Sequence, residues 1–251
     1  MKVKYAYYEE FAKYFDLLAS ADKNKINIFL KFLVSSFNKI KIPVKLVLEL
    51  ACGSGRFTIP LANKGYKIIA TDPSKAYLDL AKKKAKKNKL SIKFIRKDMR
   101  KIKYKDKFDA IFCKEAIYYM LNKKDLLTTF NCVNKALKKD GAFIFDIPNW
   151  KKSWKEREIF YIKKGGTIFF SGIHLFKDVK KKLIIHDALV FAVDKGKIKT
   201  GIDKHILKMW KPEELKLYLL QAGFTKVMLL DLDTSKSFTN KSKRLAVIAI
   251  K

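Results

Sequence analysis

Three carboxylates lie at or after apolar runs of the chain, next to a turn built from small residues. Glu49 is part of the first run, and Asp72 and Asp98 follow the next two runs. Gly53 and Gly55 come directly after the first run, where glycine allows close approach of a ligand and the first N–H groups of a helix are unpaired. Asp72 stands 17 residues after Gly55, close to the roughly 20 expected of an acidic group that binds a ribose. The spacing therefore predicts a ligand that contains a ribose.

The glycine spacing argues against a dinucleotide. A dinucleotide fingerprint has a third glycine three positions after the second, and this chain has Thr58 there. NAD and FAD therefore fit poorly. The pattern that is present is acidic-x-small-x-Gly-x-Gly, in Glu49, Ala51, Gly53 and Gly55.

This pattern resembles the first motif of the class I S-adenosylmethionine-dependent methyltransferases, with Glu49 to Arg56 as that motif. The resemblance is strongest to the small-molecule branch (methyltransferase type 11/25-like), whose motif reads Cys-Gly-x-Gly-Arg. The chain departs from the family at Ala51, where a glycine is usual. The resemblance covers nearly the whole chain, strongly over residues 46–149 and 211–250 and weakly between them. It implies S-adenosyl-L-methionine as the cofactor, whereas a glycine turn of purely structural use is the alternative.

The resemblance also implies which residues hold the cofactor. Residues 11–16 resemble an N-terminal Ala-x-x-Tyr-Asp element with Phe15 inserted, and Tyr14 would close over the methionine end. An aromatic stripe that packs on the core is the alternative for Tyr14. Asp98 would accept from the adenine amine while Met99 covers the ring. The implied cofactor-binding residues are Tyr14, Glu49, Ala51, Gly53, Gly55, Arg56, Asp72, Pro73, Asp98, Met99 and Lys114.

The segment after the predicted fourth strand (residues 108–113) supplies candidate catalytic groups. Ligands of open α/β sheets bind where the strand order reverses, so Glu115 would lie at the site if strands one and four are neighbours. Glu115 would then orient a substrate amine or act as a general base, and Tyr118 or Tyr119 would pack beside the transferred methyl group. A charged pair that caps a helix is the alternative for Lys114 and Glu115.

Two histidines are further candidates, because histidine is a suitable base near neutral pH. His174 and His186 flank one turn of a predicted β meander and are expected nearly opposite each other. A hydroxyl acceptor would need a base such as Glu115, His174 or His186, whereas a neutral amine only has to lose a proton before or after attack. Histidines without a role in the reaction are the alternative. No metal site is predicted, since no cluster of His, Asp and Glu has ligand spacing.

The order of the predicted elements indicates an α/β fold. We expect a Rossmann-like, seven-stranded, mainly parallel sheet with helices on both faces and an inserted antiparallel β lid. Hairpin signals at residues 165–166 and 194–196 support the lid. The predicted organisation is an N-terminal helical cap (1–40), a cofactor-binding core (41–150 and 209–251) and a lid (151–208). Such a lid would shape the substrate pocket and exclude water.

The charge of the chain is strongly positive. Its 251 residues carry a formal net charge of +32, but only five of the 56 basic residues are arginine. Bidentate recognition of phosphates and bases favours arginine, and the lysines are spread along the whole sequence. A general bias towards lysine is therefore favoured over a polyanion-binding surface, which stays the alternative.

The remaining composition bears on location. The cysteines, Cys52, Cys113 and Cys132, are odd in number and lack metal-like spacing, as expected of free thiols in a reducing cytoplasm. No run approaches the ~20 apolar residues of a membrane span. The sequence predicts a cytoplasmic monomer or homodimer without a membrane partner.

These observations predict a methyltransferase that acts on nitrogen or oxygen of a small-molecule acceptor by in-line displacement. An RNA (tRNA or rRNA) methyltransferase is the alternative that the charge favours. However, residues 113–116 read Cys-Lys-Glu-Ala, where a base-flipping enzyme would carry an Asn-Pro-Pro-Tyr-type tetrapeptide. A non-catalytic, nucleic-acid-binding scaffold is a further alternative, in which cofactor binding would be lost.

Overall fold

The strands are as follows in the computed structural model, which describes residues 6–152 and 155–251. They are β1 (Leu46–Leu50), β2 (Lys67–Asp72), β3 (Lys93–Arg96), β4 (Phe108–Cys113), β5 (Leu137–Pro148), β6 (Arg157–Lys164), β7 (Thr167–Asp178), β8 (Leu183–Asp194), β9 (Lys197–Lys208), β10 (Lys226–Asp231) and β11 (Arg244–Ile250). Residues 1–5 of the predicted cap and 153–154 of the predicted lid lie outside the described residues.

The helices begin and end at recognisable signals. They are α1 (Ala12–Ala21), α2 (Lys23–Phe37), α3 (Thr58–Asn63), α4 (Lys75–Lys87), α5 (Lys123–Ala136) and α6 (Pro212–Gln221), with 3₁₀ turns at Ala6–Tyr8, Met99–Lys101 and Ile117–Tyr119. Ser74 caps α4 by accepting from the Tyr77 N–H at 3.1 Å, and Asn122 caps α5 by accepting from the Asp125 N–H at 2.9 Å. Each cap satisfies an N–H group that the first turn leaves unpaired.

Seven strands form one sheet in the order β10-β11-β5-β4-β1-β2-β3. The strands β3, β2, β1, β4 and β5 are parallel, and β11 is antiparallel to both β5 and β10. The prediction of a mainly parallel, seven-stranded sheet is confirmed. Strands β1 and β4 are neighbours, which was the condition for placing Glu115 at the site, so the strand order reverses beside β1.

Both faces of this sheet are buried, because side chains alternate between the faces along each strand. Val47 packs with α2 and α3 on one face, among residues such as Phe29 and Leu61, and the next residue, Leu48, packs on the other face with Phe130 of α5 and Leu215 of α6. This sandwich fixes the carboxyl ends of β1, β2 and β4 along one edge, where the site lies.

Strands β6 to β9 form a separate four-stranded antiparallel sheet, as predicted for the lid. Two of its hairpins have positive φ at both central residues, Gly165–Gly166 and Lys195–Gly196. This conformation matches the twist of a two-residue hairpin. The segment around α1 packs on this sheet through buried Tyr7, Phe11 and Tyr14, whereas α2 packs on the large sheet. The predicted cap thus divides between the two sheets.

The backbone directly after β1 and after β4 is not helical. The first helix after β1 begins at Thr58, since residues 53–57 form turns. Glu115 does not begin a helix: its φ is +53°, and a 3₁₀ turn follows at Ile117–Tyr119.

Candidate active site

A cavity of about 970 Å³ lies between the carboxyl ends of the parallel strands and the β lid. This volume is at the upper end of the range for small-molecule sites. It is lined by most of the predicted residues, namely Ala51, Gly53, Arg56, Asp72, Pro73, Asp98, Met99, Lys114, Glu115, Tyr118 and His186. Four predicted residues do not line it: Tyr14, Glu49, Gly55 and His174.

The turn after β1 is tied to the end of β2. The backbone N–H of Gly53 donates to Oδ2 of Asp72 at 2.8 Å, and the N–H of Ser74 donates to Oδ1 at 2.8 Å. Burial raises the pKa of Asp72 to about 6 although both N–H groups oppose the shift. Near neutral pH Asp72 is therefore ionised and held in position. Its oxygens can still accept a hydrogen bond from a hydroxyl group.

The two glycines of the turn have different tasks. Gly53 (φ +53°) lines the cavity, and no atom lies within 4 Å of the position that a Cβ would occupy there. Gly55 (φ +79°) faces α4 instead, where its Cβ would stand 3.3 Å from the Cβ of Ala81. The predicted ligand contact of Gly55 is thus replaced by close packing of the turn against a helix.

Glu49 lies beneath the turn and not in the cavity. Its side chain is buried and accepts a hydrogen bond from the Thr58 hydroxyl. Burial raises the pKa of Glu49 to about 8. Direct cofactor binding by Glu49 was expected, but the carboxyl group is protonated near neutral pH and holds the start of α3. It was misplaced because strand alternation alone does not show which face of β1 the turn covers.

Asp98 and Met99 follow β3 and line the far end of the cavity. The Asp98 carboxylate accepts from Nη2 of Arg100 at 2.6 Å and from the Arg100 N–H at 2.8 Å. Although burial opposes ionisation, these bonds lower the pKa of Asp98 below its usual range. An ionised carboxylate beside an apolar thioether suits a ring that carries an amine.

Tyr14 lies between α1 and the lid. Its ring stacks on Phe169 with centroids 5.9 Å apart, and only 1% of the residue is exposed. The structure shows the aromatic packing that was the alternative for Tyr14, whereas its closure over a ligand stays a prediction. The neighbouring residues Tyr7, Tyr8 and Phe15 line the cavity instead.

Lys114 and Glu115 belong to a charged network at the end of β4. Lys114 contacts the fully buried Asp146 at 2.6 Å, and Arg244 contacts both Asp146 at 2.6 Å and Glu115 at 2.9 Å. Burial raises the pKa of Glu115, but the positive charges of Lys114 and Arg244 outweigh it and hold that pKa well below the usual range. Glu115 is therefore an ionised carboxylate with little basicity, which suits binding of a cation better than removal of a proton.

The two predicted histidines lie on opposite faces of the lid. In the register of β7 and β8, His174 pairs with Asp187, and His186 pairs with Leu175. The expected juxtaposition was wrong by one residue, and one residue changes the face. His174 lies on the outer face beside Glu156, and His186 lines the cavity.

The third histidine, His205, was not among the predicted residues. It lines the cavity and is held there by polar contacts. His205 pairs directly with His186 across β8 and β9, with ring centroids 5.1 Å apart. Its Nδ1 lies 3.0 Å from the Tyr119 hydroxyl, and its Nε2 contacts Oδ2 of Asp203. The spacing of Asp203 and His205 was a usable signal, since residues two apart on a strand share a face.

Comparisons with known proteins agree with this geometry. Residues 47–141 match the methyltransferase domain family. A Geobacillus sp. (strain WCH70) protein described as a methyltransferase is 26% identical over 251 residues, which is 97% of this chain and 99% of that protein. An S-adenosylmethionine-dependent methyltransferase structure from Clostridium acetobutylicum superimposes with a TM-score of 0.78 at 24% identity, over 96% of this chain and 97% of that one. Residues 47–141 thus match a methyltransferase domain family, and the comparisons together support a class I S-adenosylmethionine-dependent methyltransferase of the type 11/25 branch.

The fold of this methyltransferase, including its lid, also occurs in a sugar N-methyltransferase from Streptoalloteichus. The TM-score is 0.79 at 15% identity, over 94% of this chain and 92% of that one. S-adenosylmethionine is the cofactor, and the residues of the cavity fit it. Gly53 leaves open space, Asp72 can accept from a ribose, and Met99 offers an apolar surface. Within residues 6–152 and 155–251, the helices are too short or too polar to span a bilayer.

Proposed function

We propose that this methyltransferase transfers a methyl group to an oxygen or nitrogen atom of a small-molecule acceptor. The observation that carries the proposal is the cavity between the carboxyl ends of the strands and the lid, which residues of both line. A pocket of about 970 Å³ accommodates a cofactor and a small acceptor. The likeness to a sugar N-methyltransferase supports the same acceptor class.

We assign the residues of the cavity to the parts of the cofactor and to the acceptor. Asp72 would bind the ribose, with Pro73 and Ala51 beside it, and Asp98 with Met99 would bind the adenine. Arg56 and Lys114 line the same cavity and would attract the carboxylate of the methionine end. Residues 41–150 and 209–251 would thus hold the cofactor, and residues 151–208 would cover the acceptor.

When bound, S-adenosylmethionine supplies a sulfonium methyl group that is already activated for in-line displacement. The protein then has to hold the acceptor in line and keep water out, which lowers the barrier through proximity and orientation. Tyr118 and Tyr119 lie just after β4 and line the cavity between the cofactor end and the lid. We place the acceptor against these two rings.

Binding and turnover test the proposal separately. Calorimetry with S-adenosylhomocysteine measures the cofactor end. Transfer of a radiolabelled methyl group from S-adenosylmethionine is then followed with catechol, glucosamine and bulk tRNA as acceptors in parallel. Methylation of catechol or glucosamine, without labelling of tRNA, is the expected result.

Two outcomes would contradict the proposal. Labelling of tRNA with the small acceptors inert would establish the RNA alternative. Binding of S-adenosylhomocysteine without transfer to any of the three would count against the proposed acceptor class, and failure to bind it would favour a scaffold.

A further inference from the structure

We propose that Tyr119, His205 and Asp203 form a proton relay that takes the proton from the acceptor during methyl transfer. The inference rests on the proposed function and adds a general base to it. The three residues come from the turn after β4 and from β9, so the relay joins the cofactor core to the lid.

The relay has a defined direction. Asp203 is fully buried, and its Oδ2 contacts Nε2 of His205, while its Oδ1 accepts from the Tyr7 N–H at 3.0 Å. The contact of Oδ2 with Nε2 is an ion-pair contact without the alignment of a hydrogen bond, and the negative charge of a carboxylate beside Nε2 favours the tautomer with the proton on that nitrogen. Nδ1 of His205 is then the acceptor for the Tyr119 hydroxyl at 3.0 Å.

The Tyr119 hydroxyl is the end of the relay that faces the acceptor. Its oxygen lies 2.5 Å from the Tyr8 hydroxyl. A phenol oxygen can accept two hydrogen bonds while it donates one, so one position remains for an O–H or N–H group of the acceptor. Tyr8, Tyr119 and His205 all line the cavity.

The parts of the relay are held in place by contacts outside it. Nε1 of Trp210 donates to the carbonyl oxygen of Met120 at 2.9 Å, directly after Tyr119. The Tyr7 hydroxyl is hydrogen-bonded to Ser171, and the Ser74 hydroxyl donates to the carbonyl oxygen of Tyr8. This rigidity favours proton transfer, since general-base catalysis requires groups within hydrogen-bonding reach.

The proton balance of the step is simple. As the acceptor heteroatom forms its bond to the methyl carbon, its proton passes to the Tyr119 oxygen, and the Tyr119 proton passes to Nδ1 of His205. The electron pair of the breaking C–S bond stays on sulfur. The imidazolium that results is stabilised by Asp203 until the proton leaves to water, as in other histidine–carboxylate pairs.

The charges around His205 permit this protonation. The titratable groups that face it are Tyr7, Tyr8, Tyr119, His186 and Asp203. Burial, and next the proximity of His205, lower the pKa of His186 to about 4, so His186 is neutral near pH 7 and adds no competing positive charge. Burial raises the pKa of Tyr119 well above its usual range, so its phenol stays neutral.

Steady-state kinetics test the relay. The acceptor is whichever of catechol and glucosamine the wild-type chain methylates faster. We expect His205→Gln to lower kcat by about 10²- to 10⁴-fold, the usual contribution of a general base. Tyr119→Phe should also lower kcat, since it removes only the hydroxyl. Asp203→Asn, a change in a positioning residue, should lower kcat and change the ring tautomer of His205. S-adenosylhomocysteine should bind all three variants as it binds the parent chain.

His174→Gln is the matched control, because it changes a histidine of the same lid on the outer face. The relay is overturned if the wild-type chain turns over and both His205→Gln and Tyr119→Phe keep kcat within about threefold. The proposed function would still stand in that case. A wild-type chain that methylates neither probe counts against both proposals.

A spectroscopic measurement does not depend on the acceptor. Nitrogen-15 NMR of the histidine rings in the complex with S-adenosylhomocysteine should show His205 with its proton on Nε2, and Asp203→Asn should change that tautomer. A proton on Nδ1 in the wild-type chain would contradict the relay, even if His205→Gln failed to fold.

Discussion

Gly53 and Asp72 are joined by a 2.8 Å hydrogen bond from the backbone N–H to Oδ2, although 19 residues separate them. This bond connects the turn after β1 to the end of β2. It places the carboxylate at the floor of the cavity, where burial raises its pKa to about 6.

Cofactor binding should therefore weaken in mild acid. Below pH 6 Asp72 becomes protonated. A hydrogen bond to an ionised carboxylate contributes about 1 kcal/mol more than one to a neutral group, and this difference is then lost. We expect the Kd of S-adenosylhomocysteine to rise about fivefold between pH 7.5 and 5, as measured by calorimetry. Asp72→Asn should bind weakly at both pH values, and the exposed Asp106→Asn should behave as wild type. An unchanged Kd across this range would rule out the ribose contact.

Glu49 should make the protein less stable as the pH rises. Its pKa is about 8 in the fold against an ordinary value of 4.5, so the native state binds the proton more tightly than the unfolded chain. The resulting stabilisation is complete below pH 4.5 and is lost at up to about 1.4 kcal/mol per pH unit until pH 8. Urea unfolding at pH 5 and pH 8 measures this decline in the free energy of unfolding. Glu49→Gln should reduce the decline, whereas Glu156→Gln, at an exposed position, should not. An equal decline in the wild-type chain and in both variants would contradict the assignment.

Gly55→Ala should destabilise the chain more than Gly65→Ala. Both positions have positive φ (+79° and +90°), which costs a residue with a Cβ about 1–2 kcal/mol. Only at Gly55 would the new Cβ meet another residue, at 3.3 Å from Ala81. Thermal unfolding measures both changes. Equal losses would show that the turn does not depend on close packing against α4.

Glu115→Gln should leave the shape of the pH profile unchanged between pH 5 and 9. The pKa of Glu115 lies well below its usual range, because Lys114 and Arg244 outweigh the effect of burial. The carboxylate therefore does not titrate between pH 5 and 9, and its loss should change the size of kcat or KM but not the shape of the profile. A change in the shape of the profile in this variant would make Glu115, rather than His205, the base.

The strands and the turn chemistry could be predicted from local patterns. The apolar runs of β1, β2 and β4, the glycines after β1 and the hairpin residues of the lid each lie within a few positions of their structural effect. These patterns also predicted Asp72 at the end of β2. They did not predict that Gly55 packs against α4 or that Glu49 lies beneath the turn, because both depend on the path of the chain after β1.

The sequence by itself determined the class of fold and the end of the sheet where a ligand binds. Only the tertiary structure decided which aromatic and histidine side chains reach that ligand. Tyr7 meets Asp203 across 196 residues of sequence, and His205 rather than His174 shares a face with His186. The physical reason is the two-residue period of a strand: a shift of one residue in register changes the face of every side chain, and that register is set by the pairing of whole strands.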